Sequence, residues 1–227
     1  MSVDPSEVSL PDRMPVFPLP NMVLFPGAFV PLHIFEPRYR RMACDALSAG
    51  GCLALALLKP GFEPLYYTRR APIHAVAGVG RIVAHERLAE GKFNLLVNGV
   101  ARGRLIEHEC DRPYRVARVE PLTDEPPLDD LVARRLRRDL KRTLDGAAAP
   151  LELREYWCEL LRSERELPEI VDLCAHALPI DGELRQLLLA DVNAATRAAL
   201  FMDYVRTFSD VYRRHRRIDP EPSATVN

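Results

Sequence analysis

Between Met14 and Tyr39 the chain reads MPVFPLPNMVLFPGAFVPLHIFEPRY, an apolar run broken by Pro15, Pro18, Pro20, Pro26, Pro31 and Pro37. Each proline fixes φ at about −65° and removes a backbone donor, so neither a long helix nor an uninterrupted central strand can pass through. Short strands at edges or bulges are the expectation, with Pro26-Gly27 as a turn. Between the breaks, Val16, Phe17, Leu19, Val23, Leu24, Phe25, Phe29, Val30, Leu32, Ile34 and Phe35 supply apolar surface for the centre of a β core.

Glu36-Pro37 opens a helix well, and Tyr39, Met42, Ala43 and Leu47 then recur at helical spacing until Gly50-Gly51. Cys52 to Leu58, CLALALL, reads as a buried strand. The segment KPGFEPLYYTRRAP that follows is a loop. Four strands are expected beyond it: Ile73 to Ala84, Phe93 to Val97, Arg104 to His108 and Tyr114 to Leu122, with Asn98-Gly99 as a turn or bulge between the second and third. Runs of strands joined by short turns imply antiparallel pairing.

At Asp124-Glu125-Pro126-Pro127 the composition shifts and the pattern becomes helical. Leu128, Val132, Leu136, Leu140 and Leu144 step by four along one helix. Leu153, Tyr156, Trp157, Leu160 and Leu161 mark a second; Ile170, Leu173, Cys174 and Ala177 a third, opened by Pro168. A fourth is capped by Asp181, and a long fifth, with Asp191 as its expected cap, carries Ala198, Phe201, Val205, Phe208 and Tyr212. The fold class is therefore α+β: a twisted antiparallel β subdomain over 13–122, a helical bundle over 123–217, and loose tails at 1–12 and 218–227.

Charge excludes little. The 31 basic residues, only three of them lysine, are matched by 32 acidic ones, so no polyanion partner is implied. The five cysteines, Cys44, Cys52, Cys110, Cys158 and Cys174, are odd in number, far apart and set among apolar neighbours. That is the usage of reduced core thiols and points to a cytoplasmic protein. No secretory leader is visible at the start, and no apolar stretch approaches the roughly 18 residues of a membrane span.

PVFPLPNMVLFPG followed by PLHIFEPRYRRM resembles the start of the amino-terminal domain of Lon, the ATP-dependent protease. GVGRIV (Gly78 to Val83), FNLLVNGVARGRL (Phe93 to Leu105) and the run LPEIVDLCAHALPIDGELRQLLLADVNAATRAALFMDYV agree with it, so the resemblance covers about Arg13 to Tyr212. It implies a PUA-like β pseudo-barrel followed by a helical bundle, a region associated in the full protease with recognising protein substrates. No GxxxxGK[ST] phosphate loop occurs, nor room for a Ser-Lys peptidase. The resemblance is thus to small stand-alone Lon-domain proteins and implies no enzyme and no cofactor.

The residues themselves offer little catalytic chemistry. None of the seven serines lies in a GxSxG turn. His85-Glu86 and His108-Glu109 begin like a zinc helix, but Ala89 and Arg112 stand where the second histidine is needed. Gly78-x-Gly80 sits inside a strand pattern, where a bulge explains it better than a phosphate loop. Arginine clusters at 38–41, 69–70, 134–138 and 213–217 keep an RNA-binding PUA-like protein as the alternative, and a small-molecule-binding or hydrolytic domain as a further one. Acidic neighbours and helix dipoles explain most of those clusters.

The candidate protein-binding residues are Phe62, Tyr66 and Tyr67, loop aromatics outside any periodic core pattern, and Phe25 beside the Pro26-Gly27 turn. A loop folded back over the barrel mouth explains the first three equally well. The leading reading is a protein-binding module for unfolded or specific client proteins or peptides, an adaptor or regulator of proteolysis with a protease as a further partner. Nucleic acid is not favoured.

Overall fold

The computed structural model describes residues 10–108, 110–125 and 129–218. Most of both expected tails, Glu109, Pro126, Pro127 and Leu128 lie outside those residues.

The sheet is built around β5. Before it come β1 (Met14–Leu19), β2 (Phe29–Ile34), helix α1 (Pro37–Ser48), β3 (Cys52–Leu57) and β4 (Val76–Arg87); β5 itself is Phe93–His108, and β6 (Arg115–Pro121) follows. The strand order is β2-β5-β4-β3-β1-β6, and β5 also pairs with β6. β4 lies along one edge of β5, while the opposite edge takes β2 over Phe93 to Asn98 and β6 over Gly103 to His108. Five strands therefore close a ring, and β2 extends it.

Two expectations are corrected here, and one pair of alternatives is decided. Phe93 to Val97 and Arg104 to His108 are the two ends of one 16-residue strand. Asn98-Gly99 adjoins a bulge rather than a turn, because Val79 faces Ala101 but Gly80 faces Gly99, leaving Val100 as the extra residue. The sheet is mixed rather than wholly antiparallel: β1 and β3 run parallel, as the α1 crossover between them requires.

Both faces of this sheet are buried. Met14, Val16, Ala54, Ala56, Ala77, Val79, Ala117 and Val119 bury one another without any helix residue, which makes them the small-residue interior of the ring. The other face carries Leu53, Leu55 and Leu57 and packs against α1, the segment at 22–28 and the helical bundle. β2 alternates, with Val30, Leu32 and Ile34 inward and Phe29 outward. Phe29 and Phe35, expected in the core, are more than half exposed.

The bundle comprises α2 (Asp130–Asp145), α3 (Leu151–Arg162), α4 (Leu167–Ala177), α5 (Gly182–Ala190) and α6 (Ala194–Ile218). Asp129 caps α2 by accepting from the Leu131 amide, and Asp181 caps α5 by accepting from Leu184. Asn193, not Asp191, caps α6: its side-chain oxygen accepts from the Thr196 amide at 3.0 Å. Asp191 instead accepts from the Asn193 amide and shapes the preceding turn.

Strands and helices meet across a buried ionic cluster. Arg102 of β5 donates to the Leu189 carbonyl at the end of α5 and to the Asp172 carboxylate in α4. Arg197 of α6, wholly buried, places its Nε 3.3 Å from Asp172 and grips Asp124 of the linker with two bonds. Gln186 of α5 donates to the Val76 carbonyl of β4 at 2.9 Å. A charge buried this deeply persists only when paired and hydrogen-bonded; Arg102 and Arg197 each reach a carboxylate and a backbone carbonyl, while Asp172 Oδ1 and Arg197 Nε face each other as an ion pair without completing a hydrogen bond.

Candidate functional site at the barrel mouth

Leu58 to His74 connects β3 to β4 and crosses one open end of the ring. Arg115, at the start of β6, is the cross-strand partner of Val16 and so shares the interior face with it. Its Nε donates to the Arg69 carbonyl at 2.7 Å and its Nη2 to the carbonyls of Arg69 and Ala71, which pins that part of the loop onto the mouth. Arg69 in turn donates to the Cys110 carbonyl at 2.6 Å.

The front of the same loop stands clear. Glu63–Leu65 forms a single 3₁₀ turn. Leu65 is 39% exposed and Tyr67 81% exposed, while Phe62 and Tyr66 are half-buried. The rings of Phe62 and Tyr66 lie 5.9 Å apart, and those of Tyr66 and Tyr67 meet edge-on at 5.0 Å. Tyr66 donates to Glu36, the residue in front of α1, at 3.3 Å. Arg38 of α1 donates to Glu36 and to the Tyr66 carbonyl, each at 3.0 Å. Burial and the neighbouring Glu36 carboxylate push the Tyr66 hydroxyl above its ordinary range, so it remains a donor at neutral pH. Phe35, one residue before Glu36, is 56% exposed and stacks with His33 at 6.0 Å. Two exposed aromatics, Phe35 and Tyr67, thus each adjoin one member of the Glu36–Tyr66 pair.

Phe25 is in a different place. It is fully buried, packs edge-on to His176 at 6.3 Å and cannot meet a partner at the surface. The cause lies in the glycines of β4 and β5. A Cβ added to Gly78 would fall 2.0 Å from the Leu24 carbonyl oxygen, and one on Gly99 would fall 2.1 Å from that of Phe25. The bare backbone of these strands admits the chain at 22–28 against the sheet, and the Gly27 amide donates to Gly99 at 2.8 Å. The bulge beside Gly80 accompanies this seat; the close approach explains the glycines themselves.

Behind the pinned part of the loop runs an open groove of about 800 Å³. Leu65, Thr68, Arg69 and Arg70 form one wall; Glu107 and His108 of β5 and Arg115 of β6 form the other. Sequence reasoning missed Glu107 and Arg115, and weighed His108 only as part of a zinc motif, because only the closure of β5 on β6 brings this wall under the loop. The signal available was an arginine, Arg115, in an otherwise apolar strand phase.

The arginine clusters are largely engaged in holding the fold. Arg137 donates to the carbonyls of Leu161, Ser163 and Arg165 at the end of α3, and Arg213 to that of Gly146. Arg38 lies 4.4 Å over the Tyr39 ring. His85 and His108 lie on strands, away from any helical HExxH geometry. Among the described residues, no helix is long and apolar enough to cross a membrane.

The fold has relatives. In solved structures, the N-terminal domain of the Mycobacterium avium complex Lon protease matches with a TM-score of 0.65 at 19% identity, covering 86% of this chain and 98% of that one. The crystal structure of the Lon N-terminal domain protein from Xanthomonas campestris matches with a TM-score of 0.56 at 24% identity, covering 85% and 98%. Among curated proteins, Lon protease of Anaeromyxobacter dehalogenans is 25% identical over 211 residues, which are 92% of this chain and 25% of that protein. Lon protease 2 of Sorangium cellulosum is 29% identical over 225 residues, covering 88% and 26%. The chain spans about a quarter of the length of these relatives. The family profile described as the ATP-dependent protease La (LON) substrate-binding domain matches residues 13–207, from the threshold of β1 into α6. This chain therefore belongs to the family of Lon substrate-binding domains.

Proposed function

We propose that the chain is a non-enzymatic module that binds client proteins, taking extended or unfolded segments across the barrel mouth, and that it serves proteolysis as an adaptor or regulator. The observation that carries this reading is the exposure of Phe35 and Tyr67, two aromatics that each follow or precede in sequence a member of the fixed Glu36–Tyr66 pair. Aromatics held on a rigid support offer contact area at small entropic cost, which is what recognition of varied apolar segments needs. Membership of a family described as substrate-binding favours the same reading. Phe62 and Tyr66 act as the support, and Leu65 adds apolar rim.

The test uses the full chain and a fluorescently labelled, reduced and alkylated protein that cannot refold. Binding to the wild type and a loss of about ten-fold in the double variant Phe35→Ser, Tyr67→Ser are expected. No binding at saturating protein, or equal binding by the variant, would count against the proposal.

A further inference from the structure

The groove beneath the loop contains a buried cation with an open valence. Arg115 is 8% exposed. Its Nε and Nη2 are occupied by loop carbonyls, but Nη1 has no hydrogen-bond partner among the described residues. The nearest acid among the described residues is Glu107, half exposed, whose carboxylate stands 3.6 Å from Nη1, beyond a good hydrogen bond. Leaving such donors unmade costs free energy that an incoming acceptor recovers. Arg69 and Arg70 at the rim add positive field over the opening.

We infer that this groove is a carboxylate site, and that it takes the carboxylate of a bound peptide whose apolar residues lie on Leu65 and Tyr67; the inference rests on the protein-binding reading above. The acceptor displaces Glu107 from the neighbourhood of Nη1. A carboxylate fits better than a phosphate, because Glu107 and Asp111 line the same groove and repel a doubly charged group. Arg115 binds by one nitrogen, its other two being committed to the loop, so the site recognises charge and direction more than a planar fork.

The source of the carboxylate is either the free end of a polypeptide or an Asp or Glu side chain, and the experiment separates them. Three labelled peptides of one apolar sequence are titrated against the full chain: one with a free carboxyl terminus, one amidated, and one amidated but carrying an internal aspartate. At least one carboxylate peptide is expected to bind about ten-fold tighter than the neutral amide. A preference in the first alone assigns chain termini, and a preference in the third assigns side chains.

Arg115 also holds the loop, so its removal would confuse binding with folding. Two gentler variants avoid this. Glu107→Gln removes the competing acid and should tighten the carboxylate peptides several-fold while leaving the amide unchanged. Arg70→Gln should reduce the preference without loss of structure. Equal binding of all three peptides, unmoved by Glu107→Gln, overturns the carboxylate site and leaves the protein-binding reading standing. Absence of binding by every peptide and by the unfolded protein overturns both.

Discussion

Arg197 in α6 and Asp124 in the linker are joined by two bonds of 2.8 and 2.7 Å, and the arginine side chain is completely buried. This pair fixes the point where the chain leaves the sheet to the first turn of the last helix. Through Asp172 it is continuous with Arg102, so β5, α4 and α6 are tied at one place.

Removing one member of that cluster strips the others of a partner. Asp172→Ala leaves Arg102 with backbone carbonyls alone and Arg197 with Asp124, and Arg197→Ala leaves Asp124 without its guanidinium and Asp172 with Arg102 alone; each is expected to cost about 3–5 kcal/mol. Denaturant unfolding measures the loss. A cost under 1 kcal/mol in both variants would show that water already reaches the cluster.

The seat for the 22–28 segment yields a sharper substitution. Gly78→Ala drives a methyl into the Leu24 carbonyl oxygen, a backbone atom that cannot swing aside like a flexible side chain, and should destabilise by about 2–3 kcal/mol or more. Gly50→Ala, where among the described residues nothing beyond the chain neighbours lies within 4 Å of the new methyl, meets no such obstacle and serves as the comparison, with strain from its positive φ alone.

Phe25 and Tyr67 should behave oppositely. Phe25→Ala empties a core position and is expected to lower stability by about 3–5 kcal/mol. Tyr67→Ala should change it by less than about 0.5 kcal/mol while weakening client binding. Thermal melts paired with the unfolded-protein titration distinguish the two outcomes.

Tyr114 donates to Asp45 of α1 at 2.6 Å. Burial first, and then the carboxylate, push Tyr114 up to about 12. Partial burial works against the ionised Asp45, yet the Tyr114 hydroxyl and the Arg112 and Arg41 guanidiniums hold it below its ordinary range. The two groups act at opposite ends of the pH scale. Tyr114 stabilises fully below about pH 10, the unfolded value, and its contribution is lost as pH rises toward 12; that of Asp45 is present above about pH 4 and lost as pH falls. Tyr114→Phe should therefore flatten the alkaline limb of stability against pH and shrink the acid limb. Unchanged limbs would show the bond to be absent in solution.

Much of the fold was legible because it is local. Pro37, Asp129 and Asp181 mark helix starts by their own chemistry, and CLALALL can be little other than a buried strand. What escaped was non-local. Phe25 looks like a turn aromatic until Gly78 and Gly99, more than fifty residues away, are seen to make room for it. Phe29 and Phe35 look like core because they are large, yet β2 buries the smaller Val30, Leu32 and Ile34 in the opposite phase. In the candidate site, the loop aromatics were visible from their irregular context. The basic floor under them was not, since Arg115 acquires its meaning only when β6 closes on β1 and β5.

That closure has a cost in time. Met14 pairs with Ala117, about a hundred residues later, so β1 lacks its second neighbour until nearly all of the β half has been made. Until then its apolar edge is open to other chains, and forming the ring must first meet the entropy of drawing those distant strands together. A nascent chain therefore passes through a long interval as an open sheet, and ring closure by β6 is the step expected to set the pace of folding.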